Sequence, residues 1–146
     1  MKKSLLTLVI SLMSVSVLWS QRVYQGSDFG IVPNAKKDMT QAFVDVLKLI
    51  KNECDGKPAV LHLAAGDYDF YYDKANVREL YVSNHDQSNP KHVAVIIEDM
   101  ENFTLDGGGA TFYMNGRMLP VAMLDCEDCV IKNLAIDTRI PQITQV

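Results

Sequence analysis

The stretch Val95-Ile96-Ile97-Glu98-Asp99-Met100-Glu101-Asn102-Phe103-Thr104-Leu105 decides the fold, because Ala122-Met123-Leu124-Asp125-Cys126-Glu127-Asp128-Cys129-Val130-Ile131-Lys132 repeats its outline. Each copy is an apolar run, an acid, a few turn-forming residues and a second β-rich run, and the two overlay at an offset of 27 residues. Self-similarity at a period between about 20 and 50 residues marks a solenoid, since one such unit cannot bury its apolar face alone and does so by stacking on the next. Two copies also fit a hairpin-rich sandwich, so the pattern by itself leaves both open. The overlay places Glu98 in register with Asp125.

Outward from the repeat, the region after residue 59 is a series of short β-rich runs: 59–63, 68–72, 93–97, 103–105, 111–114, 121–124 and 130–136. Clusters of Gly, Asn and Asp separate them. Asp106-Gly107-Gly108-Gly109 reads as a tight turn rather than a phosphate loop, because no helix follows it. Before residue 59 the pattern is different. Met39, Phe43, Val46, Leu47 and Ile50 recur at three- and four-residue intervals, which predicts one amphipathic helix over 38–54. Asp38 is placed to cap it, Gln41 to return the bond as a capping box, and Gly56 with Pro58 to stop it.

The N-terminus carries Lys2-Lys3, an apolar run over 5–18 and Ser20 ahead of Gln21, the three parts of a secretory signal peptide. The run is short for the ~20 residues of a membrane span and holds several serines. The expected boundaries are a signal peptide over 1–20, a strand and helix over 21–58, and β-rich coils over 59–146. Formal net charge is −4, and loss of Lys2 and Lys3 with the signal takes it to −6, which argues against nucleic acid as a partner. Cys54, Cys126 and Cys129 are an odd number and form no disulfide framework. Cys126 and Cys129 have CxxC spacing, but strand-like sequence follows where a redox site needs a helix N-terminus, so both read as small core residues.

Residues 23–70 resemble the N-terminal region of pectin-lyase-like β-helix proteins, through Asp28-Phe29-Gly30, Asp38, Thr40 and Val60-Leu61-His62-Leu63-Ala64-Ala65-Gly66-Asp67-Tyr68. That resemblance implies an all-β fold, a right-handed parallel β-helix (solenoid) whose open end is closed by a leading strand and a capping α-helix. Residues 81–146 are similar to glycoside hydrolase family 110, the bacterial exo-acting α-1,3-galactosidases. The similarity rests on Asn84-His85-Asp86-Gln87, Leu105-Asp106-Gly107, Gly116-Arg117-Met118-Leu119-Pro120, Lys132-Asn133, Ile136-Asp137 and Pro141-Gln142. It implies a secreted or periplasmic enzyme that releases terminal α-1,3-linked galactose with inversion. It also implies that this chain is a front fragment whose catalytic carboxylates lie beyond Val146.

Inverting hydrolysis needs two carboxyl groups roughly 6.5–9.5 Å apart. Glu98 and Asp125, on strands stacked about 4.8 Å apart, are too close for that role. The candidate sugar-binding residues are Asn84, His85 and Asp86 in a loop, Arg117 after a turn, and Asp137. The loop residues read equally as an Asx-type turn, and Arg117 and Asp137 equally as an exposed charge or a turn cap. Of Tyr68, Phe70, Tyr71 and Tyr72, the strand period turns alternate rings into the core and leaves the others for sugar stacking. His62 and His92 show no partner spacing, and no metal ligands or organic cofactor are expected. Competing readings are a polysaccharide lyase, which would show a basic residue and a calcium-binding acid cluster, and a non-catalytic glycan-binding adhesin.

Overall fold

A computed structural model describes residues 20–81 and 89–139 of the chain. In chain order the described elements are β1 (Arg22–Gln25), a 3-10 turn (Gly26–Phe29), α1 (Thr40–Cys54), β2 (Ala59–His62), β3 (Gly66–Tyr71) and β4 (Asn76–Arg78). They continue with β5 (Lys91–Glu98), β6 (Phe103–Asn115), β7 (Leu119–Leu124) and β8 (Val130–Thr138). The molecule is mostly β-strand with one helix, arranged as two sheets of mainly parallel strands. In the first sheet β1 pairs with β2, and the long β6 pairs with β2 along its first half, with β3 along its second, and with β8 on its other side. In the second sheet β5 pairs parallel with β7 and antiparallel with the short β4.

Parallel pairing in register sets like residues above one another. Tyr24, Leu61, Leu105 and Ile131 form one such column, and Tyr68, Phe112 and Ile136 another. All of these but the exposed Ile136 pack into one core with Phe43, Val46 and Ile50 of the helix. Phe43 sits with its ring centroid 5.7 Å from that of Phe70 and 5.4 Å from that of Phe112, so the helix packs against the inward side chains of the paired strands β3 and β6. Burial of each such side chain contributes about 1.5–3 kcal/mol before ordering costs. The alternation expected for the aromatic run holds within β3, where Tyr68 and Phe70 are fully buried and Tyr71 is half-buried, but not at Tyr72, which shares their phase yet lies past the end of the strand and is exposed.

The register corrects the overlay. Val95 pairs with Val121 and Glu98 with Leu124, an offset of 26 residues, and the isolated bridge Glu101–Glu127 keeps it. Glu98 therefore does not stack on Asp125; its carboxylate is taken by Arg78. The physical marker is backbone shape. Asp99 and Asn102 have φ of 49° and 52°, and Asp125 and Asp128, 26 later, have 49° and 50°. After glycine, Asx residues tolerate this left-handed conformation best, and here they mark each corner between the two sheets. Apolar runs match nearly as well when slid by one residue, so they do not fix the register.

Other local expectations change too. The helix begins at Thr40, and Asp38 accepts from the Thr40 backbone N–H at 2.8 Å, but Gln41 does not complete a capping box. Its amide reaches Asp45 at 2.8 Å, one turn onward on the helix surface. The other Asp38 oxygen accepts from the Tyr71 N–H at 2.8 Å, so this carboxylate joins helix start to β3. The helix ends on Asp55 in the left-handed region, φ 47°, with Gly56 following. The triple glycine is not a turn: β6 runs straight through it, with a register shift against β8 between Asp106 and Ala110. Four residues on β6 span what two span on β8, which is a bulge. A Cβ on Gly107 would lie 2.5 Å from the Asn133 carbonyl oxygen, and one on Gly108 would lie 2.3 Å from that of Leu63. Only glycine fits between these two neighbouring strands. The three-residue β4 left no period in the sequence long enough to read.

Candidate functional site

The face of the first sheet opposite the core carries two polar clusters, each one a column of in-register residues. The first column is Asp69, Tyr113 and Asp137 on β3, β6 and β8. Arg139, just past β8, reaches back across it: Nε donates to Asp69 Oδ1 at 3.1 Å and a terminal nitrogen to Asp67 Oδ2 at 3.0 Å. Its guanidinium carbon lies 3.6 Å from the centre of the Tyr113 ring, a cation–π contact. Asn115 adds a donor to Asp69 Oδ1 at 3.2 Å. The Asp69 and Asp67 carboxylates hold the guanidinium pKa above its ordinary value.

The second column is His62, Asp106 and Lys132 on β2, β6 and β8. Asp106 Oδ1 accepts from the Asn133 amide at 2.9 Å and from the Gly108 N–H at 3.1 Å. Its other oxygen lies 3.5 Å from Lys132 Nζ and 4.0 Å from His62 Nδ1. The Asn133 bond first, then the Gly108 N–H, then Lys132, pull the Asp106 carboxyl below its ordinary range. A general acid needs the opposite shift, so Asp106 is suited to hold hydroxyl or cationic donors and not to protonate a leaving group.

Of the residues singled out from sequence, Asn84, His85 and Asp86 lie outside the described residues. Asp137 is exposed on β8, with Oδ1 accepting from the Thr138 N–H at 2.7 Å. Arg117 is exposed in the bend after β6, and no hydrogen bond or ion pair joins it to Asp137. Next to it, Gly116 packs against Tyr72, whose ring stacks on His92 at 3.8 Å between centroids and 19° between planes. His62 and His92 thus both have partners that spacing along the chain could not show. Asp69, Tyr113, Asn115 and Arg139 were missed because the register that unites them spans 70 residues between Asp69 and Arg139.

The cysteines follow the core reading. By the 26-residue register Cys126 occupies the position of the buried Met100 and Cys129 that of the buried Phe103 one strand earlier, and the two cysteines are half-buried against the same core. Cys126 Sγ lies 3.4 Å from the Ile97 carbonyl oxygen and Cys129 Sγ 3.2 Å from that of Met100. Burial raises the Cys129 thiol pKa, contrary to the lowering a reactive thiol needs. Among the described residues no group of three or more His, Cys, Asp and Glu converges to hold a metal.

No protein-family model matches the chain. Curated relatives do. It is 45% identical over 142 residues, 97% of its length, to an alpha-1,3-galactosidase B of Bacteroides fragilis. It is 44% identical over 146 residues, 99% of its length, to an alpha-1,3-galactosidase B of Phocaeicola vulgatus. To one of Parabacteroides distasonis it is 42% identical over 124 residues, 84% of its length. The chain covers 24%, 25% and 20% of those three proteins, so it spans about a quarter of the first two and a fifth of the third. Over that stretch its sequence places it in the alpha-1,3-galactosidase family.

Proposed function

We propose, from that family membership, that this chain is the front part of a secreted exo-α-galactosidase that hydrolyses terminal α-1,3-linked galactose with inversion. The observation that carries the reading is 45% identity sustained over 142 residues, which leaves little of the chain unmatched. The catalytic acid and base lie in later segments. In support, Glu98 is paired with Arg78, and the carboxylates drawn together on the first sheet are committed to Arg139, Asn115, Asn133 and Lys132.

The fold proposed is a right-handed parallel β-helix, with α1 closing its first coil and each later coil contributing one strand to each sheet. Parallel strands at a constant offset of 26 residues in the second sheet, with Asx residues at matching corners, support it. We place a signal peptide over 1–20 and export to the periplasm or beyond on the basis of Lys2-Lys3 and the apolar run. Asn84, His85, Asp86, Arg117 and Asp137 contribute to sugar binding as donors and acceptors.

The test compares residues 21–146 with the complete gene product that contains them, each confirmed folded by circular dichroism. Each is offered an aryl α-galactoside and an α-1,3-linked galactosyl disaccharide. Galactose is expected from the complete product and not from 21–146. Release by the short chain overturns the placement of catalysis; failure of the complete product on both substrates favours a glycan-binding role.

A further inference from the structure

We infer that the stacked pair Tyr72–His92, with Arg117 beside it, is a platform for the apolar face of a pyranose ring. The inference rests on the carbohydrate reading above and gives it a location. Tyr72 lies just past the end of β3, and its N–H donates to the Asn115 carbonyl at 3.2 Å, which pins the backbone beside the end of β6. His92 on β5 fixes the ring from one side: the rings stack at 3.8 Å, and His92 Nδ1 lies 3.0 Å from the Tyr72 carbonyl oxygen. Gly116 fixes it from another, since a Cβ there would come within 2.7 Å of Tyr72 Cβ. So constrained, Tyr72 still leaves 44% of its surface open.

An aromatic ring held in place by two neighbours and left open to solvent has given up side-chain freedom without gaining full burial. Its electron-rich face matches the C–H face of a sugar, whose hydroxyls then point outward around the rim. Arg117 follows Gly116 in the chain and is exposed, which leaves its donors open to solvent next to the residue that packs on Tyr72. A galactosyl residue suits the arrangement because its axial hydroxyl leaves the hydrogens on carbons 3, 4 and 5 on one face.

The experiment uses the complete gene product. In the unsubstituted protein, saturation-transfer NMR with the α-1,3-linked galactosyl disaccharide is expected to mark the hydrogens on carbons 3 to 5, and the Tyr72 ring signals to move on titration. Tyr72→Ala is expected to raise Kd and KM about tenfold with kcat nearly unchanged, as loss of uniform binding does. Tyr72→Phe should stay within about twofold, because the face and not the hydroxyl is used, and Arg117→Ala should lie between. Unmoved Tyr72 ring signals with saturating sugar, or a folded Tyr72→Ala protein with unchanged KM, overturns the platform even where galactose is released normally. Absence of galactose release with Tyr72-dependent sugar binding overturns the hydrolase and leaves the platform standing.

Discussion

The two ends of the strand stack share one register and differ in what lies against them. At the helix end, Leu61 lies between β1 and β6, Tyr68 and Phe70 lie beside β6 with Phe43 of the helix against Phe70, and all three are fully buried. At the far end, Ile131 and Ile136 continue the Leu61 and Tyr68 columns on β8, yet Ile136 is 52% exposed and Met123 on the neighbouring sheet 42%. Sequence alone would rank Ile136 with Phe112 as a core residue. Burial in a stack is a property of having two neighbours, and an inward-facing residue on the last described strand has one. The difference teaches that inward position and actual stabilisation separate at an end, and that α1 is what makes the first end behave as interior.

Several substitutions break or sharpen this contrast. Phe43→Asp should be the most damaging, because it puts a charge between the Phe70 and Phe112 rings and leaves the helix stripe unmatched; about 4 kcal/mol of stability should be lost. Urea unfolding of the complete gene product measures it, and an unchanged midpoint would show that the helix is not what closes this end. Gly107→Ala comes next. The added methyl meets the Asn133 carbonyl oxygen at 2.5 Å, and strand displacement there should cost about 1–3 kcal/mol and loosen β8 selectively. Hydrogen exchange at the β8 amides should rise while exchange in α1 stays as it was.

Asp106 provides a pH probe of the middle of the stack. Its folded pKa lies below its ordinary value of 3.8, so its stabilisation is present above that value and is lost as pH falls through the folded one. Asp106→Asn should therefore lower stability near neutrality and flatten the acid limb of a plot of melting temperature against pH; an acid limb as steep as before would remove Asp106 from that account. The smallest effect is expected from Ile136→Asp in residues 21–146, within about 0.5 kcal/mol, as for an exposed position. In a longer product the same change should cost several times more if a further strand covers β8, and equal small effects in both would argue against continued stacking.

Local pattern made much of the fold legible. The 3.6-residue period placed the helix within two residues of its start and on its end, and β-rich runs between Gly and Asx clusters marked most of the longer strands. The motifs around Leu105-Asp106-Gly107 and Gly116-Arg117 also pointed to the galactosidases that the chain matches. Register was not legible from apolar runs, although the Asx pairs Asp99 with Asn102 and Asp125 with Asp128 carried it, because only backbone handedness distinguishes an offset of 26 from 27.

What the sequence by itself determined is the class of each segment and the family, since propensity, period and motif are properties of neighbours along the chain. What the tertiary structure alone decided is which distant side chains meet: Arg139 across Tyr113 to Asp67 and Asp69, His62 beside Asp106, Tyr72 on His92. Parallel stacking juxtaposes residues 24, 26, 37 or 44 apart according to the chain between them. Loop length shifts those offsets without leaving a periodic trace, so the polar columns exist only once the strands are paired.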